Sequence, residues 1–253
     1  MSYLLRITNP NTNELVLSDQ AQGLVCVGRA TLISMVQPSV TGNPVNGQAH
    51  AVTGGYQVYR LTHSNSNPVL FAIDIYQQFC RITSVSNPSP GVWDVTVYAV
   101  GGQQFYYGVR YQVEVRVWGF SWFNELLDPR IGSIRRADGG IAYDFSRRNM
   151  LFPKGFGTAP VPSAQSTIAI PSLVNTVVLG TPAGYRNVTR FGIKRVYTER
   201  YINCWSGGNG QIRQSEECVF AQETGGIDEG QGDTDDSDFS PASFIVIEGQ
   251  DLP

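Results

Sequence analysis

The sequence predicts an all-β fold, an antiparallel β-sandwich built from two packed β-rich parts. Three observations predict it. Charged residues are only 15% of the 253, while Gly 27 and Pro 14 are abundant, the composition of strands joined by turns with a surface solvated by amides and hydroxyls. Apolar residues alternate with polar ones at period two along several segments, which places one side of an extended chain in a core. Turn residues then separate these segments at short intervals, so sequential antiparallel strands are expected rather than a parallel α/β arrangement.

The elements follow in order. Residues 3–7 and 14–18 flank Asn9-Pro10-Asn11-Thr12-Asn13 and are expected to form an opening hairpin. Residues 23–29 and 31–36 continue as strand, and 37–55, rich in Gly, Pro, Asn and Gln, reads as a long loop. Residues 56–61 and 69–76 lie on either side of a turn at 63–68, and 79–85 runs to Asn87-Pro88-Ser89-Pro90-Gly91. Trp93, Val95, Val97 and Ala99 alternate with polar positions, and after Gly101-Gly102 so do Tyr111, Val113, Val115 and Val117. That pattern predicts a hairpin over 92–118 with one wet face.

Residues 119–129, with Ser121 as a cap and Pro129 as a stop, are the sole predicted helix. Residues 131–136 and 141–146 flank Ala137-Asp138-Gly139-Gly140 and predict another hairpin. Residues 151–165 break the pattern and are assigned as a linker between an N-terminal sandwich domain, 1–150, and a C-terminal β-rich domain, 166–253. Strands resume at 166–171, 175–180, 187–202 and 217–222; 223–241 is an acidic, mobile loop, and 243–249 closes the chain as a strand. With so little Lys, the sheet edges have few gatekeepers, and partner chains are expected to cover them.

Charge is unevenly placed. All 18 Lys and Arg lie at or before Arg213, giving that part a formal +8, and the residues beyond it carry −11. Arg outnumbers Lys 16 to 2, which favours planar, bidentate contacts at interfaces. No apolar run reaches the roughly 18 residues a membrane helix needs, so no membrane insertion is expected. The N-terminus has no basic start and no small-residue cleavage site, so synthesis in a cytosol is expected. Cys26, Cys80, Cys204 and Cys218 form no CxxC pair and are read as small buried hydrophobes, with a Cys204–Cys218 bridge as the oxidised alternative.

Signatures of catalysis are sparse. There is no Gly-x-Ser-x-Gly, P-loop or His-Glu-x-x-His, and His50 and His63 both sit in loop or turn sequence. Asp74, Asp94 and Glu114 could in principle make a glycosidase pair, but acids at alternating positions are what the wet face of a sheet contains. The acidic run from Asp228 to Asp238 lacks the glycine and terminal glutamate of an EF-hand and reads as a solvated loop able to meet the Arg-rich part of a neighbour. No metal or other cofactor is expected. Arg130, Arg135, Arg136, Arg147 and Arg148 with Tyr143 and Phe145 could serve nucleic acid, but interleaved Asp138 and Asp144 favour ion pairing between subunits. Tyr106, Tyr107, Trp118 and Trp122, with Arg135, Arg136, Arg147 and Arg148, are the candidate interface or glycan contacts, and Trp205 is a further aromatic that could stack on sugar.

The stretch Ile134-Arg-Arg-Ala-Asp138-Gly139-Gly-Ile-Ala-Tyr143-Asp144-Phe-Ser-Arg147 resembles a hairpin of small virion proteins from the tail tips and tail fibres of long-tailed bacteriophages. The opening from Leu4 to Asp19 and the closing strand from Ser243 to Gly249 are similar in form. The resemblance implies a non-enzymatic structural protein of a tail tip, baseplate or tail fibre. It would be assembled in the host cytoplasm and held in the virion by copies of itself and other tail proteins. A bacterial surface glycan or pilus is the further partner it implies, nucleic acid is not, and it supplies no catalytic or ligand residue. A carbohydrate-binding module using exposed aromatics is the alternative.

Overall fold

The computed structural model describes residues 6–8, 15–18, 23–36, 54–63, 67–76, 78–100, 114–123, 127–147, 155–159, 167–169, 176–180, 184–192, 195–208, 211–225, 232–239, 242–248 and 252. The expected loop at 37–55 lies outside them save for its last two residues. In chain order the strands are β1 (Arg6–Thr8), β2 (Leu15–Ser18), β3 (Leu24–Arg29), β4 (Thr31–Val36), β5 (Gly54–Thr62) and β6 (Val69–Asp74). They continue as β7 (Cys80–Ser89), β8 (Val92–Val100), β9 (Val117–Trp122), β10 (Ser133–Arg135), β11 (Ile141–Asp144), β12 (Gly155–Ala159) and β13 (Thr167–Ala169). The last six are β14 (Thr176–Leu179), β15 (Tyr185–Gly192), β16 (Arg195–Gly208), β17 (Gln211–Gly225), β18 (Thr234–Asp238) and β19 (Ala242–Glu248).

Two antiparallel sheets make the body. One has six strands in the order β12-β19-β14-β6-β9-β3. The other has nine, along β13-β17-β16-β7-β8-β5-β4 with β15 on β16 and β18 on β15. Both take strands from either side of residues 151–165. β1–β2 and β10–β11 are separate two-stranded hairpins, as the turn sequences predicted.

Between the sheets lies one apolar core. Tyr59, Leu61, Ile82, Val95, Val97 and Trp205 from the larger sheet meet Phe71, Ile73, Val117, Val178, Phe244 and Val246 from the smaller. The Trp205 and Phe244 rings meet edge-on with centroids 5.1 Å apart, and each such side chain removed from water contributes about 1.5–3 kcal/mol. The far face of the six-stranded sheet is covered too, around Cys26, Ala72, Trp118, Phe120, Val177 and Ile247. The nine-stranded sheet curls, because β17 comes back against β5. Across that curl the Tyr98 hydroxyl donates to the Cys218 carbonyl at 2.8 Å.

Four sequence expectations are corrected. Residues 119–122 are strand rather than helix: β9 is central, paired to β3 and β6, and its residues from Val117 to Ser121 are buried on both faces. Burial on both sides overrides the local helix signal. The hairpin expected over 92–118 does not form from its described strands. β8 lies between β5 and β7, while β9 belongs to the other sheet, so the alternating Val115 and Val117 continue the core and do not return along β8. Within the expected linker, residues 155–159 form β12, an edge strand on β19. Within the expected mobile loop, β17 runs on to Gly225 and Thr234–Asp238 form β18.

The passage of the chain between sheets is sealed by a buried polar group. The Val115 N–H, just before β9, is donated to the Tyr59 hydroxyl at 2.8 Å and to Gln57 Oε1 at 3.2 Å. Gln57 and Tyr59, two residues apart on β5, are fully buried, and the Tyr59 hydroxyl donates to Gln57. Beside them Arg116 Nε donates to Asp74 at 2.9 Å and the Asp74 N–H donates to the Arg116 carbonyl, fastening the end of β6 to the start of β9. Gly119 lets the sheets approach: a Cβ there would run into Leu61 and stand 2.9 Å from Val69.

Tyr59→Phe is expected to cost about 1–3 kcal/mol by taking a partner from a buried N–H, and Gly119→Ala about 1–3 kcal/mol by overpacking. Urea denaturation checks both; unchanged midpoints would contradict the sealed-crossing account.

Candidate assembly surface

The candidate contacts scatter. Trp118 is 2% exposed within the outer cluster of the six-stranded sheet and Trp205 1% exposed in the main core. Neither can stack on a sugar, which corrects their reading as surface aromatics. The Arg116 guanidinium lies over the Trp118 ring, 5.6 Å from its centroid. Trp122, at the end of β9, is half-buried. Tyr106, Tyr107 and Arg148 lie outside the described residues, as does His50.

The hairpin β10–β11 separates the arginines: Arg135 and Arg136 stand at its turn, and Arg147 follows β11 at its open end. Gly139 takes φ +84° in its turn, a conformation open to glycine at little cost, and the Gly140 N–H is donated to Asp138 Oδ1 at 2.9 Å. Behind the hairpin, fully buried Asp144 accepts the Leu127 N–H and the Ser146 N–H, each at 2.9 Å, and faces Arg147 at 3.2 Å. Burial works to raise the Asp144 carboxyl, but the Ser146 hydroxyl, the two N–H groups and Arg147 outweigh it and hold it below its ordinary value. This one side chain thus ties segment 127–132 to segment 144–147. Arg147 also covers the Phe123 ring at 4.6 Å.

The arginines of this region are mostly spent within it. Arg130 grips Asp128 with two hydrogen bonds of 3.0 and 2.9 Å, and Arg136 meets Asp138 at 3.1 Å. Arg135 is exposed; its guanidinium donates to the Gly139 carbonyl at 3.0 Å and meets no carboxylate among the described residues. Around these charges stand apolar side chains in water. Leu127 is 63% exposed, Phe145 56% and Ile131 45%. The Phe145 N–H is donated to the Gly132 carbonyl at 3.2 Å, and the Phe145 ring packs on Tyr143 with centroids 4.9 Å apart. The sequence marked Phe145 and Tyr143 but missed Leu127 and Ile131. The available signal was two large aliphatics set among the turn-forming Asp128, Pro129 and Gly132.

The acidic segment is organised by Arg186 of β15. It donates to Asp235 of β18 at 2.8 Å and to Glu216 of β17 at 3.2 Å. These bonds hold the Asp235 carboxyl below its ordinary range. Asp233 accepts the Phe191 N–H at 3.0 Å. A run of aspartates therefore forms an edge strand because a cation and backbone donors neutralise it from one side.

The strand-borne acids are also arginine-paired. Asp94 accepts two hydrogen bonds of 2.7 Å from Arg60, directly opposite it on β5, and Glu114 meets Arg29 at 3.1 Å. Asp74 is held by Arg116 as above. Among the described residues no group of three or more His, Cys, Asp or Glu is placed to hold a metal. All four cysteines are buried thiols outside any disulfide. Burial pushes the Cys26 thiol up to about 11 and raises Cys80 and Cys204, so these three present no nucleophilic thiolate at neutral pH. Burial lowers His63 as well.

No protein-family model matches this chain, and neither the curated proteins nor the solved structures compared with it include a match.

Asp94, Asp144 and Asp235 are all held below their unfolded values. Their contribution to stability is present above about pH 4 and is lost as pH falls through the lower folded values. Urea midpoints are therefore expected to drop between about pH 4 and pH 2, and Asp144→Asn to be less stable at pH 7 yet to converge on wild type in acid. Parallel pH profiles for the two proteins would contradict the assignment.

Proposed function

We propose that this protein is a non-enzymatic structural component of a bacteriophage tail tip, baseplate or tail fibre. The observation that carries this reading is the exposed Leu127, Ile131 and Phe145 on the segments that lead into and out of the β10–β11 hairpin, tied together by buried Asp144. Large apolar side chains held in water by a rigid, internally paired scaffold are what a docking surface requires. The pairing of Asp74, Asp94 and Glu114 with arginines supports the same reading, since it commits those acids to holding strands together. So does the resemblance of this same hairpin to those of virion proteins. The sugar-binding alternative keeps Trp122 but loses Trp118 and Trp205.

The test is the composition of the particle. Peptides of this chain are expected in gradient-purified virions by mass spectrometry, and antibody against it is expected to label the end of the tail. Recovery only from the soluble fraction of the host, with virions free of the chain, would overturn the proposal.

A further inference from the structure

We infer that the occupant of the Leu127–Ile131–Phe145 surface is the same surface of a second copy of this chain, docked across a twofold axis. The inference rests on the assembly reading above and adds the partner and the symmetry to it.

The surface is held as one rigid piece. Asp128-Pro129-Arg130-Ile131 is a turn closed by the Ile131 N–H, which is donated to the Asp128 carbonyl at 3.1 Å, with proline at the position such a turn favours. Inside it the Asp128 side chain accepts the Arg130 N–H at 3.0 Å. Leu127 and Ile131 therefore stand at the two ends of a fixed loop. Phe145 joins them: its N–H is bonded to the Gly132 carbonyl, and a Cβ on Gly132 would stand 3.6 Å from the Phe145 ring. The Leu127 N–H on Asp144 and the Asp128 N–H on the Ser146 hydroxyl, at 2.9 and 3.1 Å, hold the loop against the chain leaving β11. A surface already ordered loses little conformational freedom when it docks.

The charges of this surface select the occupant. Segments 127–132 and 144–147 carry Asp128, Arg130, Asp144 and Arg147, which sum to zero. Asp144 is buried and Arg147 lies over Phe123, so Asp128 and Arg130 are the charges that reach the rim. Each is next to an anchor in the chain, Asp128 after Leu127 and Arg130 before Ile131. The Arg130 side chain is 88% exposed and uses Nε and Nη2 on its own Asp128, which leaves its Nη1 donors for a partner. A strongly acidic or strongly basic partner gains nothing from a rim of zero net charge. A second copy does. Turned by 180°, it sets apolar anchors on apolar anchors and brings each Arg130 to the other copy's Asp128, so that two acids and two bases alternate around the axis. Such a contact uses the same patch on both sides and closes as a dimer.

The test exchanges the rim charges in the full-length chain. Asp128→Arg leaves the rim with two bases, and Arg130→Asp leaves it with two acids; circular dichroism checks the folds. Wild type is expected to dimerise in sedimentation and native mass spectrometry, more weakly at high salt. Each variant alone is expected to dimerise at least about tenfold more weakly, since like charges then meet across the axis. Mixed, the two are expected to recover a 1:1 heterodimer of near wild-type affinity, because a basic rim meets an acidic one; a misfolded variant gives no such recovery. Phe145→Asp, which removes an apolar anchor, is expected to weaken the dimer without being rescued by either charge variant. A wild type that stays monomeric at high concentration, or a dimer that Phe145→Asp leaves unchanged, overturns the inference. A wild-type dimer with no heterodimer in the mixture overturns the placement of Asp128 against Arg130 across the axis. Virions that contain the chain while the pure protein stays monomeric overturn this inference and leave the assembly reading standing.

Discussion

A chain that builds two sheets around one core must carry backbone through that core each time it changes sheets, and peptide groups there have no water to meet. The Val115 N–H is such a group, and Tyr59 and Gln57 supply its acceptors from the facing strand. The register of β5 follows from this requirement. A slip of one residue would turn both side chains away and put Val58 and Arg60 in their place. The salt bridge of Asp74 with Arg116 fixes the same passage from the other side. Sheet packing, strand register and the start of β9 thus hang on a few polar atoms in an otherwise apolar interior.

Arginine recurs wherever the structure has a carboxylate to manage. Arg60 spans β5 and β8 to reach Asp94, Arg116 joins β9 to β6, and Arg186 draws β18 onto the sheet through Asp235. The planar guanidinium suits these crossings because two donors meet two carboxylate oxygens in one plane. The skew of Arg over Lys read from the sequence is therefore largely internal stitching, and fewer arginines remain for partners than their number suggests.

The all-β class, the opening hairpin and the β10–β11 hairpin were legible because period-two alternation and Asp-Gly turn chemistry are local properties. Which strands are neighbours was not. Nothing within residues 92–118 states that β8 and β9 belong to different sheets, and Trp118 and Phe120 look alike in sequence whether they face water or lie between two strands. Ser121 and Pro129 gave a locally sound helix cap and stop, yet both sides of β9 are covered by residues far away in the chain. The assembly surface was half legible: aromatics and arginines near 135–147 stood out, whereas Leu127 and Ile131 become conspicuous only once the core is known to be filled without them. β18 was hidden because its cohesion comes from Arg186, nearly fifty positions upstream.

β19 is not at the margin of its sheet. It lies between β12 and β14, and among the described strands these pair with nothing else there except β14 with β6. Until residues 242–248 have left the ribosome, the growing chain holds β12 without β19, its neighbour among the described strands, and β14 without β19 on one side. Residues 242–248 must therefore emerge before the six-stranded layer can close, and the nascent polypeptide waits with unpaired strand edges exposed to chaperones and to other nascent chains.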